Sequence, residues 1–248
     1  FSDFQRGPLR LSAIMGLPVV HIYTHDSISM GEDGPTHQPI EQLASLRGIP
    51  GVVDLRPADG NEIREAWRAL LPMTDRPVAL VLGKQEAPVL DRGRYAPASG
   101  LARGGYILAD PPGGFHLDAI IIASGSEVAL AVEAYEELLA EGVETRVVSL
   151  PSWALFEEQE QAYRDTVLPP AVTIRVAVEQ AATLGWERWV GDQGTVIGMQ
   201  SFGASGPGRE LRRHFGFTAE AVAGVVRTAL ATRGVNGSPV GTVSRQDR

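Results

Sequence analysis

The chain has 248 residues, room for two domains, and 44% of them are hydrophobic, enough to fill buried cores. With 22 basic against 30 acidic residues the net charge is −8, which removes the broad positive field that nucleic-acid binding requires. The absence of cysteine excludes disulfides, thiolate metal sites and cysteine nucleophiles together and fits a reducing cytoplasm, while apolar runs such as 119–123 are far shorter than the roughly 20 residues of a membrane span.

The chain opens on Phe1-Ser2-Asp3-Phe4, with no initiator Met and no basic-then-apolar signal pattern, and so reads as a piece of a larger protein. From there, apolar runs of strand length alternate with segments of helical period, which predicts an α/β fold of two domains, each a mostly parallel sheet flanked by helices. Strands are expected over 18–23, 52–55 and 78–82. Helices are expected over 38–46 and 61–71, where Ile40, Leu43 and Ala44, then Ile63, Ala66, Trp67 and Leu70, recur at helical spacing. Asp59, three residues before Glu62, is placed as an N-cap.

Between Gly83 and Gly104 the pattern breaks around Pro88, Gly93, Pro97 and Gly100, as an interdomain linker would. The second unit is expected to hold strands over 119–123, 145–149, 172–178 and 195–198, a helix over 127–140 and a hairpin or loop over 107–116. A last helix over 219–231 leads into a polar tail over 232–248, expected to be disordered. The resulting division is 1–84, a linker 85–104, a second domain 105–231 and the tail. Trp153, Trp186, Trp189 and Phe156 read as core or subunit-contact positions, and Ser126 as the N-cap of the helix from 127, in preference to an anion site on Ser124-Gly125-Ser126.

The densest collection of reactive side chains runs from Tyr23 to Pro39. It leaves a strand and leads into a helix, and the carboxyl ends of parallel strands are where ligands bind in open sheets. Two glycines and a proline allow His25, Asp33 and His37 to converge on a small molecule, and histidine titrates in the range suited to moving protons. The alternatives are a solvated turn with incidental histidines, or a metal site from His25, Glu32, Asp33 and His37, whose spacing matches no compact ligand pattern.

Thr24-His25-Asp26-Ser27 followed by Gly31-Glu32-Asp33-Gly34-Pro35-Thr36-His37-Gln38-Pro39 resembles the signature of the transketolase pyrimidine-binding domain. Further segments agree in order: Leu43-Ala44-Ser45-Leu46-Arg47, Leu55-Arg56-Pro57-Ala58-Asp59, Arg103-Gly104-Gly105-Tyr106, Ala123-Ser124-Gly125-Ser126-Glu127-Val128, Val178-Glu179 and His214-Phe215-Gly216-Phe217-Thr218. The resemblance implies transfer of a two-carbon ketol unit between ketose and aldose phosphates with thiamine diphosphate, and a place in the cytoplasm. It implies that His37 lies by the cofactor and polarises the reacting carbonyl. Asp33 would accept a bond from a substrate hydroxyl, and His25 would contact the sugar's hydroxyls or phosphate. Phe1 and Phe4 would lie against the aminopyrimidine ring.

Two departures stand out. Gly83-Lys84-Gln85 replaces a family Ser-Arg-Gln, leaving the sugar-phosphate contact to Lys84, a point charge in place of a planar fork. Phe202-Gly203-Ala204-Ser205-Gly206 replaces a Gly-Glu-Ser-Ala pattern, expected to matter only for local packing. The family's diphosphate-binding domain, which holds Mg²⁺ or Ca²⁺, and its cofactor-activating glutamate are expected upstream of these residues. The active unit is therefore expected as a homodimer or an assembly with a complementary N-terminal half, and this chain alone as inactive. The rival readings are a related thiamine-dependent enzyme, such as a deoxyxylulose-phosphate synthase or a 2-oxo-acid dehydrogenase β subunit, and a non-catalytic partner subunit.

Overall fold

A computed structural model describes residues 2–113 and 116–236. After a 3-10 turn at Ser2–Gln5 come α1 (Arg6–Ile14), β1 (Val20–Tyr23), α2 (Gln42–Arg47), β2 (Val53–Leu55), α3 (Gly60–Leu70) and β3 (Val78–Val81). The three strands form a parallel sheet in the order β1-β3-β2, with Val20 and Val53 both opposite Val78. Period-two alternation sorts β3 between two cores. Ala79 and Val81 pack with Leu9 of α1 and Leu43 and Leu46 of α2, whereas Val78 and Leu80 pack with Ala66 and Leu70 of α3.

Asp59 caps α3 as expected, its Oδ1 accepting from the Glu62 N–H at 2.9 Å. The buried face of that helix differs from the expected one: Glu62, Glu65, Ala66 and Leu70 are inside, and Trp67 is exposed. Glu62 tolerates burial because Tyr106 Oη and Ser149 Oγ each donate to it at 2.7 Å and the Ala58 N–H at 2.8 Å. α2 begins at Gln42 and not at 38, since Gln38 and Pro39 belong to the preceding loop.

The segment 83–104 is tied down by Asp59, which accepts from the Leu90 N–H at 3.0 Å and from Arg92 at 3.1 Å, and it closes with a 3-10 turn at Ala98–Arg103. Beyond it are β4 (Tyr106–Ala109), β5 (Ala119–Ala123), α4 (Glu127–Ala140), β6 (Thr145–Ser149), α5 (Trp153–Glu157), α6 (Gln161–Val167), β7 (Arg175–Ala182), α7 (Glu187–Val190), β8 (Thr195–Met199), α8 (Gly208–His214) and α9 (Ala219–Asn236). The second sheet has the order β4-β6-β5-β7-β8, parallel except for β4, an antiparallel edge strand that overlaps the start of the expected hairpin or loop.

β5 is buried at every residue, as befits a parallel strand covered on both faces. One face carries Ile121 with Val128 of α4 and Val222 of α9; the other carries Ile120 and Ile122 with Trp153, Phe156, Trp186 and Trp189, which are therefore core residues. α9 runs to Asn236, five residues past its expected end, and residues 237–248 of the expected tail lie outside the described residues. No helix among the described residues is long and apolar enough to cross a membrane.

Candidate active site

β1 and β3 end side by side, with Tyr23 opposite Val81, and the chain leaving β1 turns at once. His25 takes a left-handed backbone at φ 67°, a conformation that L-residues other than glycine seldom hold without support. The support comes from its neighbour: Asp26, 6% exposed, accepts from Arg56 Nη2 at 2.7 Å and from Nε at 3.0 Å. A short 3-10 turn at Ile28–Met30 follows, and two glycine turns bring the chain back to His37.

The result is a cleft of about 270 Å³ whose lining includes His25, His37, Phe4, Tyr23, Gln42 and Val81. Thr24 Oγ1 lies 2.8 Å from Nδ1 of His25, and Thr36 Oγ1 lies 2.9 Å from Nδ1 of His37. Each imidazole is thus oriented by the threonine before it, through whichever tautomer the pair adopts. The repeated Thr-His dipeptide is the sequence signal of this arrangement. Leu43, Leu46 and Val81 give the cleft an apolar wall. Tyr23 Oη is buried with no hydrogen-bond partner among the described residues, and burial pushes its pKa up, so it stays a neutral hydroxyl.

Asp33 lies on the solvent side of this loop, where Lys84 Nζ, from the segment after β3, donates to its Oδ2 at 3.1 Å. The hydrogen bond and charge of Lys84 hold the Asp33 carboxyl below its ordinary range, and both His37 and His25 lie near enough to favour its charged form when protonated. The structure therefore gathers His25, His37, Asp33, Lys84 and Phe4 around one loop; Phe1 lies outside the described residues. Phe4, 88% exposed, sits at the cleft's open side.

Beneath the loop is a buried ionic network joining the two sheets. Arg56 Nη1 donates to Glu127 at 2.5 Å and to Ser124 Oγ and O at 3.1 and 3.0 Å, and Arg47 grips Glu179 with two bonds of 2.7 Å. Burial penalises the charge on Arg56, but the carboxylates of Glu127, Asp26 and Glu179 outweigh it and keep the guanidinium charged. Burial would raise the Glu179 carboxyl, yet Arg47 and Arg56 bring it down to about 2. This overturns the anion alternative for Ser124-Gly125-Ser126: the turn holds a cation, so close that a Cβ on Gly125 would lie 2.6 Å from Arg56 Cζ. Ser126 stands at the N-cap position of α4 as expected, but its side chain makes no cap bond and its Oγ donates instead to Glu127 Oε1 at 2.7 Å.

Chemically, an apolar wall, a neutral buried hydroxyl and two oriented imidazoles suit a flat heteroaromatic ring with polar edges. The residues present fit the pyrimidine part of thiamine diphosphate. They do not fit its metal, because among the described residues no group of three His, Asp or Glu is placed to hold an ion.

Comparison with known proteins agrees with the arrangement. Residues 1–89 match the transketolase pyrimidine-binding domain and residues 104–218 the transketolase-like C-terminal domain. A transketolase of Geobacillus stearothermophilus is 50% identical over 234 residues, covering 94% of this chain and 34% of its own length, and that of Bacillus subtilis is 45% identical over 230 residues, covering 93% and 34%. Among solved structures, transketolase from Leishmania mexicana superposes with a TM-score of 0.87 at 38% identity, covering 98% of this chain and 34% of that one. A split-gene transketolase described as an inactive β4 tetramer shares the fold at 23% identity and a TM-score of 0.71, over 93% of this chain and 75% of its own. The chain spans about a third of the length of the curated relatives it matches, and with both domain families matched in order and the site loop folded around its histidines, it belongs to the transketolase family.

Proposed function

We propose that this chain supplies the pyrimidine-facing and sugar-facing wall of a thiamine-diphosphate-dependent ketol transfer between ketose and aldose phosphates, within a protein or assembly that also provides the diphosphate and Mg²⁺ or Ca²⁺ site. The observation that carries this reading is the cleft at the ends of β1 and β3, where two threonine-oriented imidazoles meet an apolar wall. Thiamine diphosphate, when bound, supplies a carbon nucleophile and an electron sink.

The chain's own residues do the rest. Tyr23, Leu43, Leu46 and Val81, with Phe4, exclude water and offer apolar contact to the ring, and Phe1, to which the same role is proposed, lies outside the described residues. His37 polarises the substrate carbonyl and exchanges a proton with its oxygen, a task suited to imidazole near neutral pH. Asp33, kept ionised by Lys84, accepts from a sugar hydroxyl. Lys84 attracts the substrate phosphate as a point charge, which it must share with Asp33, and His25 contacts hydroxyls or phosphate at the cleft's edge. A place in the cytoplasm is part of the same reading.

The test is ketol transfer from xylulose 5-phosphate to ribose 5-phosphate by the complete enzyme. His37→Ala should lower turnover at least about tenfold, the low end for loss of a general acid or base; unaltered turnover in that variant would remove the assignment. A homodimer is one way to complete the site. A separate subunit that joins a complementary N-terminal half is the second, supported by the fold shared over 75% of the split-gene chain. Activity of the 248-residue chain without any partner would refute both arrangements.

A further inference from the structure

The residue after His37 has no part in the chemistry above. Gln38 is 5% exposed, and its amide nitrogen donates to three main-chain carbonyls: Gly31 at 3.0 Å, Ile28 at 3.4 Å and Ala204 at 2.9 Å. Ile28 and Gly31 begin the segment whose far end carries His37. Ala204 belongs to the second sheet's domain, in the stretch between β8 and α8. The neighbouring Gly203 leaves room for the amide, because any Cβ there would fall well inside contact distance of Gln38 Oε1. Two more bonds join the same regions: Ser29 Oγ donates to Gln180 Oε1 at 2.7 Å, and Arg212 Nη1 to Ser29 Oγ at 3.4 Å. The stretch 202–206, expected to matter for local packing, is thus the surface on which the site loop rests.

We propose that Gln38 is a positioning residue that closes the 28–38 segment on itself and pins it to Ala204, fixing where His37 stands at the cleft and where Asp33 stands on the loop's solvent side. The proposal rests on the roles given to those two residues above. An amide is the group the place requires. Its two N–H groups meet a cluster of carbonyl oxygens, where a carboxylate would find only acceptors and a thioether no donor role at all.

Two measurements test it. Within the segment, the amides of Gly34, His37 and Gln38 donate to Gly31 O, Gly34 O and Gly34 O at 3.1, 3.0 and 3.1 Å. In the 248-residue chain, hydrogen exchange at these amides should rise about tenfold in Gln38→Met and in Gly203→Ala, with β5 and β6 unchanged. The double variant should exchange no faster than either single one, because both break the same contact. Unchanged exchange, or a rise spread evenly over the chain, overturns the proposal. In the complete enzyme, Gln38→Glu should lower kcat about tenfold at pH 8 and regain it as the pH falls, since burial favours the protonated carboxyl and that form again donates. A ratio to the parent that stays flat with pH counts against the positioning role. If the parent itself transfers no ketol unit, the functional reading fails, while the exchange experiment still judges the brace.

Discussion

Replacing Arg56 with methionine removes the cation that Asp26 and Glu127 share. Arg56 is 1% exposed and lies 2.7 Å from Asp26, 2.5 Å from Glu127 and 3.7 Å from Glu179. The three carboxylates do not suffer alike. Glu179 keeps both bonds to Arg47, and Glu127 keeps donors from the Gln180 N–H, the Gln180 side chain and Ser126, whereas Asp26 loses both bonds that hold it. Leaving one buried charge without its partner costs about 3–5 kcal/mol, and methionine matches the aliphatic stem without replacing the charge. The expected loss is therefore about 3–5 kcal/mol, read from the urea midpoint by tryptophan fluorescence, with Asp26→Asn in the same chain recovering about 1–2 kcal/mol by removing the stranded charge. A loss below about 1 kcal/mol, or no recovery in the double variant, would refute the view that Arg56 holds the two sheets together through these carboxylates.

Lys84→Ala should raise the Michaelis constant for phosphorylated sugars in the complete enzyme. It should also move the Asp33 carboxyl up towards its ordinary range, because Lys84 is the main cause of its lowering; NMR titration of Asp33 checks the second part independently of activity. Glu179→Gln should flatten the acid limb of stability. The Glu179 carboxyl titrates at about 2 when folded against 4.5 ordinarily, so its contribution is present above pH 4.5 and fades as the pH falls towards 2. Acid unfolding followed by circular dichroism should show a parent that weakens through that window by a few kcal/mol and a variant that weakens less.

Periodicity reads the second sheet well where burial is simple. The ranges 119–123 and 127–140 are found as expected because their apolar residues specify a covered strand and a packed helix, and 145–149 is found around its Val147-Val148 pair. It fails where polar groups are buried in pairs. β7 was expected to end at Val178, before a charged residue, yet it continues through Glu179 and Gln180 to Ala182 since Arg47, Glu127 and Ser29 meet those side chains. Glu62 and Glu65 shift the buried face of α3 from the expected one, which keeps Ala66 and Leu70 but loses Trp67 to solvent, and Glu62 is accommodated for the same reason.

The site shows the same divide. His25, His37 and Asp33 are legible as a reactive cluster near a strand end, and the matched segments contained Arg47, Arg56, Glu127 and Glu179, which prove to be the ionic network. Their pairing spans up to 132 residues of sequence and leaves no local trace. Helices such as α1 and α8 carry little periodic signal, being short and carrying Gly7-Pro8 or three consecutive basic or imidazole side chains at their ends.

The bonds from Ser29 to Gln180, Gln38 to Ala204 and Arg212 to Ser29 cross 151, 166 and 183 positions of sequence. A nascent chain emerging from the ribosome will therefore have made every reactive group of the loop long before the parts that hold them exist. The first sheet can form early from its own parallel pairings, but the loop gains its brace only once residues near 212 are made. Until then the loop carries its reactive side chains without the surface on which it rests.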